Sequence, residues 1–547
     1  MRPPTLSDRP TTIPEALRAS VARDRGSFVF HLDGRVERFS CAELLERAER
    51  GARRLVALGV GPGDAVGVLG PNRSEWVVSS FATWLAGAIL VPIQIPLRVR
   101  DPAAFGEQLR RLVETGRCRR VLADPRLAGA LPEDVAVSWE EEGDESSEQP
   151  VEPRADDAAV IQFTSGSTAM PKGALISHAA TLAQMDILRE GYHRGPANDE
   201  PRALVSWTPF FHDLGLFSSI VQTTTWGLTS HQLPTDLFAR DPVEWLRLID
   251  RTRATVTVAP SSAFGSAIRA ARRRREPLDL GSLEAAYFAA EGVDPNVVQR
   301  IVELAQDFGF EPMALGSTYG LAEAVMAVAY PVVGTGMHLD RISLDDLVEN
   351  GVATPVEGGR SRLLVSCGRP RMETRVVGDD GEELPEREIG EIVLRGPSLM
   401  DGYVGRDAPD PFVDGWLRTG DMGYLAGGEL YPTGRAKDIV IAMGHNYYPE
   451  DFEWAAARVD AVRPGRCVAF AKPHTEQVVV LVEQSDGQAT GALRRDVRRA
   501  IADAVGLAPD EIVVLPPGTI EKTTSGKLRR AAMRDAYLAG TLADLPG

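Results

Sequence analysis

Cysteine is scarce in this chain. Cys41, Cys118, Cys367 and Cys467 are the four among 547 residues, and none forms a CxxC pair or stands at metal spacing from a histidine. That leaves no disulfide framework and no zinc motif, and reads as a reduced, intracellular, cytoplasmic protein. Positive charge is also in deficit: 60 Lys and Arg stand against 77 Asp and Glu, a net charge of −17. Nonspecific nucleic-acid binding needs a basic face, so no nucleic-acid partner is expected. The arginine run Arg272–Arg275 reads as the solvated end of a helix. The fairly apolar stretch Trp76–Pro96 is interrupted by Ser79, Ser80, Thr83, Gly87 and two prolines. A buried helix followed by a buried strand over Ala88–Pro92 is expected there, and no stable membrane insertion. The N-terminal Met-Arg-Pro-Pro-Thr-Leu-Ser-Asp has no apolar signal core.

What is present is ordinary in amount and informative in order. Apolar residues make up 44% and charged residues 25%, as in globular proteins. The length exceeds a usual single domain, so two or more are expected. Glu43–Leu58 has apolar residues at helical spacing and stops at Gly59-Val60-Gly61-Pro62; Ala65–Gly70 then reads as a strand. Helix-sized and strand-sized segments keep alternating through Asp157–Phe163, Ala179–Arg189, Ala203–Trp207, Val243–Arg251, Thr255–Val258 and Val297–Phe308. That alternation predicts an α/β fold of layered sheets and helices. Glu140–Pro150 is an acidic, proline-ended loop, expected to be mobile. Ser366–Leu430 turns to short strands punctuated by Gly381, Gly390, Gly396 and Gly402. Beyond Gly434, helix-like Asp451–Val459, Gly491–Val505 and Leu528–Leu538 alternate with apolar runs at Val468–Phe470, Val478–Val482 and Ile512–Leu515. The expected organisation is a large N-terminal α/β domain over 1–434, with a β-rich subdomain, and a small α+β C-terminal domain over 435–547.

Two small-residue loops carry a lysine. One runs Phe163-Thr164-Ser165-Gly166-Ser167-Thr168-Ala169-Met170-Pro171-Lys172-Gly173; the other is Thr523-Thr524-Ser525-Gly526-Lys527. Hydroxyls, backbone N–H groups and a cation are what phosphate oxygens bind. The first is no Walker loop, because its lysine follows proline and not the second glycine of GxxxxGK[ST]. By composition alone it reads as well as a Ser/Thr-rich surface turn. The pair, far apart in sequence, points to two domains closing on one phosphate-bearing substrate.

Further motifs follow in order: Pro209-Phe-Phe-His-Asp-Leu-Gly215, Tyr319-Gly-Leu-Ala-Glu323, Gly415-Trp-Leu-Arg-Thr-Gly-Asp421 and Gly434-Arg-Ala-Lys-Asp438. With the two loops, they resemble the adenylate-forming superfamily of acyl-CoA synthetases, luciferases and adenylation domains, and within it the fatty-acyl-AMP ligases, over about residues 27–535. The resemblance implies ATP-dependent activation of a carboxylic acid, a chemistry of positioning and electrostatic stabilisation. It implies catalytic roles for Lys527, Glu323 and His212. ATP or AMP would be held by Thr164, Ser165, Gly166, Ser167, Thr168, Lys172, Gly292, Val293, Asp294, Ser317, Thr318, Tyr319, Gly320, Asp421 and Arg435. Glu323 with Thr168 would hold Mg²⁺, which favours one or two protein oxygens plus phosphates and water. Trp207, Phe211, Ser261, Phe264 and Gly316 are the acyl-pocket candidates. Lys437 falls where the family has its hinge, so the small domain is expected to be mobile.

Two departures stand out. Ala169-Met170 replaces the usual Gly-Thr of the phosphate loop, and alanine resists φ > 0. Glu521 stands where proline is common, and is expected to point to solvent. The long Tyr330–Ser366 and Gly444–Glu453 resemble the insertion and the post-hinge motif of acyl-AMP ligases. They imply transfer to a carrier-protein thiol and not efficient ligation to CoA. A complete acyl-CoA synthetase is the first alternative, and a nucleotide-binding homologue that no longer adenylates is the second.

Overall fold

A computed structural model describes residues 9–96, 101–139, 145–164, 172–192, 203–405, 410–485, 489–523 and 527–543. Two seven-stranded sheets organise the described part of the first 400 residues. In the first, Leu315–Ser317, Ala285–Phe288, Val256–Ala259, Ala203–Ser206, Thr229–Gln232 and Ser27–Leu32 run parallel in that spatial order, and Arg35–Ser40 closes the edge as a hairpin. The second sheet has a parallel core of Ala158–Phe163, Ile89–Pro92, Ala65–Leu69, Cys118–Ala123 and Ala136–Ser138, extended by antiparallel Gly173–Ser177 and Gly402–Tyr403. Parallel strands are covered on both faces, which is why Ala65–Leu69, Ile89–Pro92 and Ala285–Phe288 are continuous apolar runs, although Thr229–Gln232 is polar.

One hydrophobic cluster takes side chains from both sheets and from the helices Cys41–Ala57 and Ser74–Leu85. Cys41–Ala57 starts in a capping box, where the Ser40 hydroxyl accepts from Glu43 N–H and the Glu43 carboxylate accepts from Ser40 N–H. Such reciprocal caps satisfy two otherwise orphaned donors. The helix Ser74–Leu85 is buried on most of its surface, with Trp76, Phe81 and Trp84 fully enclosed. The two helices meet at Gly51, where a β-carbon would come within 2.8 Å of Ala82 Cβ. This is the helix-then-strand reading of Trp76–Pro96. No described helix is long and apolar enough to cross a membrane.

A five-stranded antiparallel sheet follows, with Trp416–Ala426 paired to Glu429–Arg435. The Tyr330–Ser366 stretch is not a loop: it holds the antiparallel pair Leu339–Ser343 and Ser361–Val365 and the helix Leu344–Asn350. After Gly434 come the hairpin Val440–Ala442 with His445–Tyr447 and a three-stranded sheet of Val462–Ala471, Val478–Gln484 and Glu511–Leu515. Helices Pro449–Ala456, Thr490–Val505 and Arg530–Leu538 pack with them, and Val440, Phe452, Val480 and Ile501 are enclosed in one core. Strand Val462–Ala471 begins six residues before the apolar run at Val468. Val462 pairs with Gln484, and the polar Arg463–Arg466 fall in a register irregularity before pairing resumes at Cys467 with Val482. Of the acidic stretch Glu140–Pro150, the described Glu145 pairs with Arg53 at 2.7 Å.

Candidate active site

The carboxyl ends of parallel strands are where open α/β sheets leave room for ligands. Here the chain leaves Ala203–Ser206 toward His212, Ala285–Phe288 toward Gly292, Leu315–Ser317 toward Glu323 and Ala158–Phe163 at Thr164. These segments, with residues from beyond Gly434, line one cavity of about 1560 Å³. His212, Tyr319, Glu323, Asp421, Arg435 and Lys527 all lie on its wall. They span more than 300 positions of sequence.

Asp421 and Arg435 face each other across paired strands. Arg435 Nε lies 3.0 Å from Asp421 Oδ1, and the Tyr319 hydroxyl donates to Asp421 Oδ2 at 2.9 Å. Burial and then the Asp421 charge hold the Tyr319 phenol well above its ordinary value. Asp421 raises the Arg435 guanidinium against the desolvation that opposes it, as an opposite charge nearby must.

Glu323 sits in the turn Ala322–Ala324, and Val325 after it has φ of +63°. A β-branched residue there is strained by about 1–3 kcal/mol, a cost tolerated mainly where function fixes the turn. Glu323 Oε1 accepts from the Tyr403 hydroxyl at 2.7 Å, and Lys172 Nζ lies 4.9 Å from the Tyr403 ring centre. Gly320 is required sterically, since a β-carbon would overlap the Met326 carbonyl. Thr318 donates to the Phe288 carbonyl, the Ser317 hydroxyl is 3.7 Å from the Cys367 thiol, and Asp294 caps the helix Pro295–Gln306. Val293 packs against the core beneath that helix, next to Gly292 on the cavity wall.

His212 Nδ1 meets the Asp213 carboxylate, which also accepts Leu214 N–H at 2.6 Å. Burial would push Asp213 up, but His212 and then Lys527 hold it below the ordinary aspartate value. Burial lowers the Lys527 ammonium; Asp213, ahead of Asp421 and Glu323, opposes that, and Arg435 reinforces it. The strand-like contact Lys522–Leu528 and the bonds between Thr523 and Lys527 close the loop that presents this lysine.

Beyond the lysine, Arg530 is caged by Asp438 at 2.8 Å, Glu450 at 2.9 Å and Glu453 at 2.9 Å. Arg362, from the strand Ser361–Val365, pairs with Asp451 at 2.8 Å and stacks on Tyr448. Arg360 donates to the Val505 carbonyl at 3.0 Å. Lys437 lines the cavity and is lowered by burial and by Arg435. Glu521 is exposed and pairs with Arg529 at 2.6 Å.

Not every acyl-pocket candidate reaches the wall. Trp207 and Ser261 do. Phe264 is turned into the core between Trp245 and Phe288, with ring centres at 4.6 and 5.2 Å. Phe211 belongs to the core cluster and offers only its carbonyl, to Gln162 Nε2 at 3.0 Å. Gly316 serves close packing, because a β-carbon would stand 2.4 Å from the Tyr287 ring. Ser261 and Phe264 stand three apart on one helix and so share a face; Ser261 at the helix start reaches the cavity, and one turn on the Phe264 ring meets core aromatics. Ser218 and Gln222 reach the cavity without having been foreseen. They lie on the π-helical turn Leu216–Val221 and the helix after it, and nothing in their sequence sets them apart from core. Ser165, Gly166, Ser167 and Thr168, and with them Ala169-Met170, lie outside the described residues.

Among the described residues no group of three or more His, Cys, Asp or Glu forms a metal cage. Magnesium does not need one, since phosphates and waters complete its shell, and Glu323, one of the carboxylates on the cavity wall, suits it.

A family model described as AMP-binding enzyme matches residues 17–404. A putative ligase of Mycobacterium tuberculosis is 34% identical over 90% of this chain and 94% of its own. A long-chain-fatty-acid–AMP ligase of Mycobacterium marinum is 30% identical over 92% of both chains. A solved structure from work on fatty acyl-adenylate ligases of E. coli and L. pneumophila superposes with a TM-score of 0.89 at 29% identity, covering 98% of this chain and 99% of its own.

Proposed function

The chain belongs to the AMP-binding enzyme family and is an adenylate-forming ligase; from that premise we propose that it activates a fatty or natural-product carboxylic acid with ATP and passes the acyl group to a carrier-protein thiol. A cytoplasmic role in lipid or polyketide-type biosynthesis goes with that reading. A carboxylate oxygen attacks the α-phosphorus while the bond to the oxygen bridging to the β-phosphorus breaks, and that electron pair leaves with pyrophosphate. No proton moves, so the work is positioning and charge stabilisation.

The observation that carries the reading is the meeting of Lys527 with His212, Asp421, Arg435 and Glu323 on one cavity. Lys527 serves the α-phosphate and the incoming carboxylate. His212 flanks that carboxylate. Asp421 accepts the ribose hydroxyls, with Arg435 beside it, and Tyr319 stacks on adenine above the Gly292–Asp294 segment. Thr164, Lys172, Ser317, Thr318 and Gly320 complete the nucleotide's surroundings. Glu323 would hold Mg²⁺, which neutralises phosphate charge when bound. Residues 1–434 and 435–547 act as two bodies hinged at Lys437, and the small one brings Lys527 in for acid activation and withdraws it for thiol transfer. Arg360 and Arg362, on the Tyr330–Ser366 stretch, hold the small body, which supports acyl-AMP as the released product over direct ligation to CoA. The test is product analysis with ATP, a panel of acids and CoA, alongside acid-dependent ATP–pyrophosphate exchange. Acyl-AMP with exchange is expected; rapid acyl-CoA formation by this protein alone would sink the carrier-protein part.

A further inference from the structure

Asp213, Asp421 and Glu323 share the cavity wall with Lys527, and two of them already have phenol partners: Asp421 takes Tyr319, and Glu323 takes Tyr403. Asp213 is different. It lies in contact with the His212 ring on the cavity wall that Lys527 shares, and no role among those above falls to it. Leu214 N–H is 2.6 Å from Asp213 Oδ1 and 3.3 Å from His212 Nδ1. The amide therefore bonds to the carboxylate, and Nδ1 keeps its own proton for Asp213. The other ring nitrogen, Nε2, is left for substrate, because the bond made by one imidazole nitrogen sets the role of the other.

The same carboxylate has a second task. A buried lysine loses its proton unless an opposite charge stands nearby, and only the ammonium form stabilises charge growing on the phosphate oxygens. Among the carboxylates acting on Lys527, Asp213 acts most strongly. Being bound already by a ring N–H and a backbone N–H, it holds its place while the lysine turns from it to phosphate.

We propose that Asp213 is a positioning residue for acid activation: it fixes the orientation of His212 and keeps Lys527 charged and drawn into the cavity until the α-phosphate takes it over. This rests on the acid-activation reading above. Asp213→Asn keeps the size of the side chain and removes the charge.

The experiment is acid-dependent ATP–pyrophosphate exchange by the full chain, measured from pH 6 to 10 for wild type, Asp213→Asn and Asp213→Glu. In Asp213→Asn, kcat is expected to fall at least about tenfold, by analogy with loss of a preorganised electrostatic partner. Its alkaline limb moves to lower pH, because Lys527 then keeps only Asp421 and Glu323 against Arg435. Asp213→Glu, which restores the charge, returns the limb to the wild-type position. A wild-type profile in Asp213→Asn overturns the proposal. So does a fall in kcat with the limb unmoved, which is what a purely structural aspartate would give. Where the amide variant does not fold, Asp213→Ser is measured against the same two outcomes. Absence of exchange in the wild type with every acid would overturn the acid-activation reading and this inference together; wild-type exchange that Asp213→Asn leaves intact overturns this inference alone.

Discussion

Lys527 owes its properties to its surroundings more than to its identity. On an exposed loop it would be a solvated cation; here burial, reinforced by Arg435, lowers the ammonium below the ordinary lysine value, and Asp213, Asp421 and Glu323 offset that in part. Lys527→Ala is expected to lower ATP–pyrophosphate exchange about 10²–10³-fold, as loss of an oxyanion donor does. Transfer from supplied acyl-AMP to a thiol acceptor should survive, and equal loss of both steps would count against the assignment. Phe264 makes the opposite point. Its ring packs on Trp245 and Phe288 in the core, so Phe264→Ala should cost about 3–5 kcal/mol of stability and leave KM for the acid unchanged. Denaturation curves and exchange kinetics separate the two effects; a raised KM at unchanged stability would return Phe264 to the pocket. In sequence an aromatic residue near a motif reads the same in either place, because which side of a helix is core depends on what packs there.

At the scale of elements, the strand Ser361–Val365 and the helix Pro449–Ala456 are tied by a buried ion pair. Arg362 is 4% exposed and Asp451 12%. Burial, partly offset by Arg362, pushes Asp451 from the ordinary 3.8 up to about 6. As pH falls, the folded protein takes up this proton before the unfolded chain does. Folding therefore gains from this group between about pH 6 and pH 4, by up to about 3 kcal/mol. Near neutrality the ionised Asp451 is a cost. Wild type should gain stability relative to Asp451→Asn as pH falls from 7 to 5, measured by thermal melting; parallel curves would overturn this. Most helices and strands were legible from periodicity, as Thr490–Val505 and Val243–Thr252 illustrate. The π-helical turn Leu216–Val221 was not, because its apolar run carries no mark of the widened turn that brings Ser218 to the cavity.

For the whole molecule the deciding fact is a shared cavity wall. The wall of the cavity takes residues from both sides of Gly434, so residues 435–547 are expected to be indispensable for exchange. A chain ending at 434 should form no acyl-AMP; retained exchange in that truncation would refute the two-body mechanism. The sequence by itself determined the α/β layering, through alternating periods, and the adenylating chemistry, through motifs whose residue types suit phosphate and ribose. Tertiary structure alone decided that Asp213 and Lys527, more than 300 residues apart, share one cavity wall, that Phe211 and Phe264 turn inward, and that Arg362 reaches Asp451. Those relations are set by how sheets, helices and the small C-terminal body pack. Local sequence fixes a residue's chemistry and element, and long-range packing fixes what that residue meets.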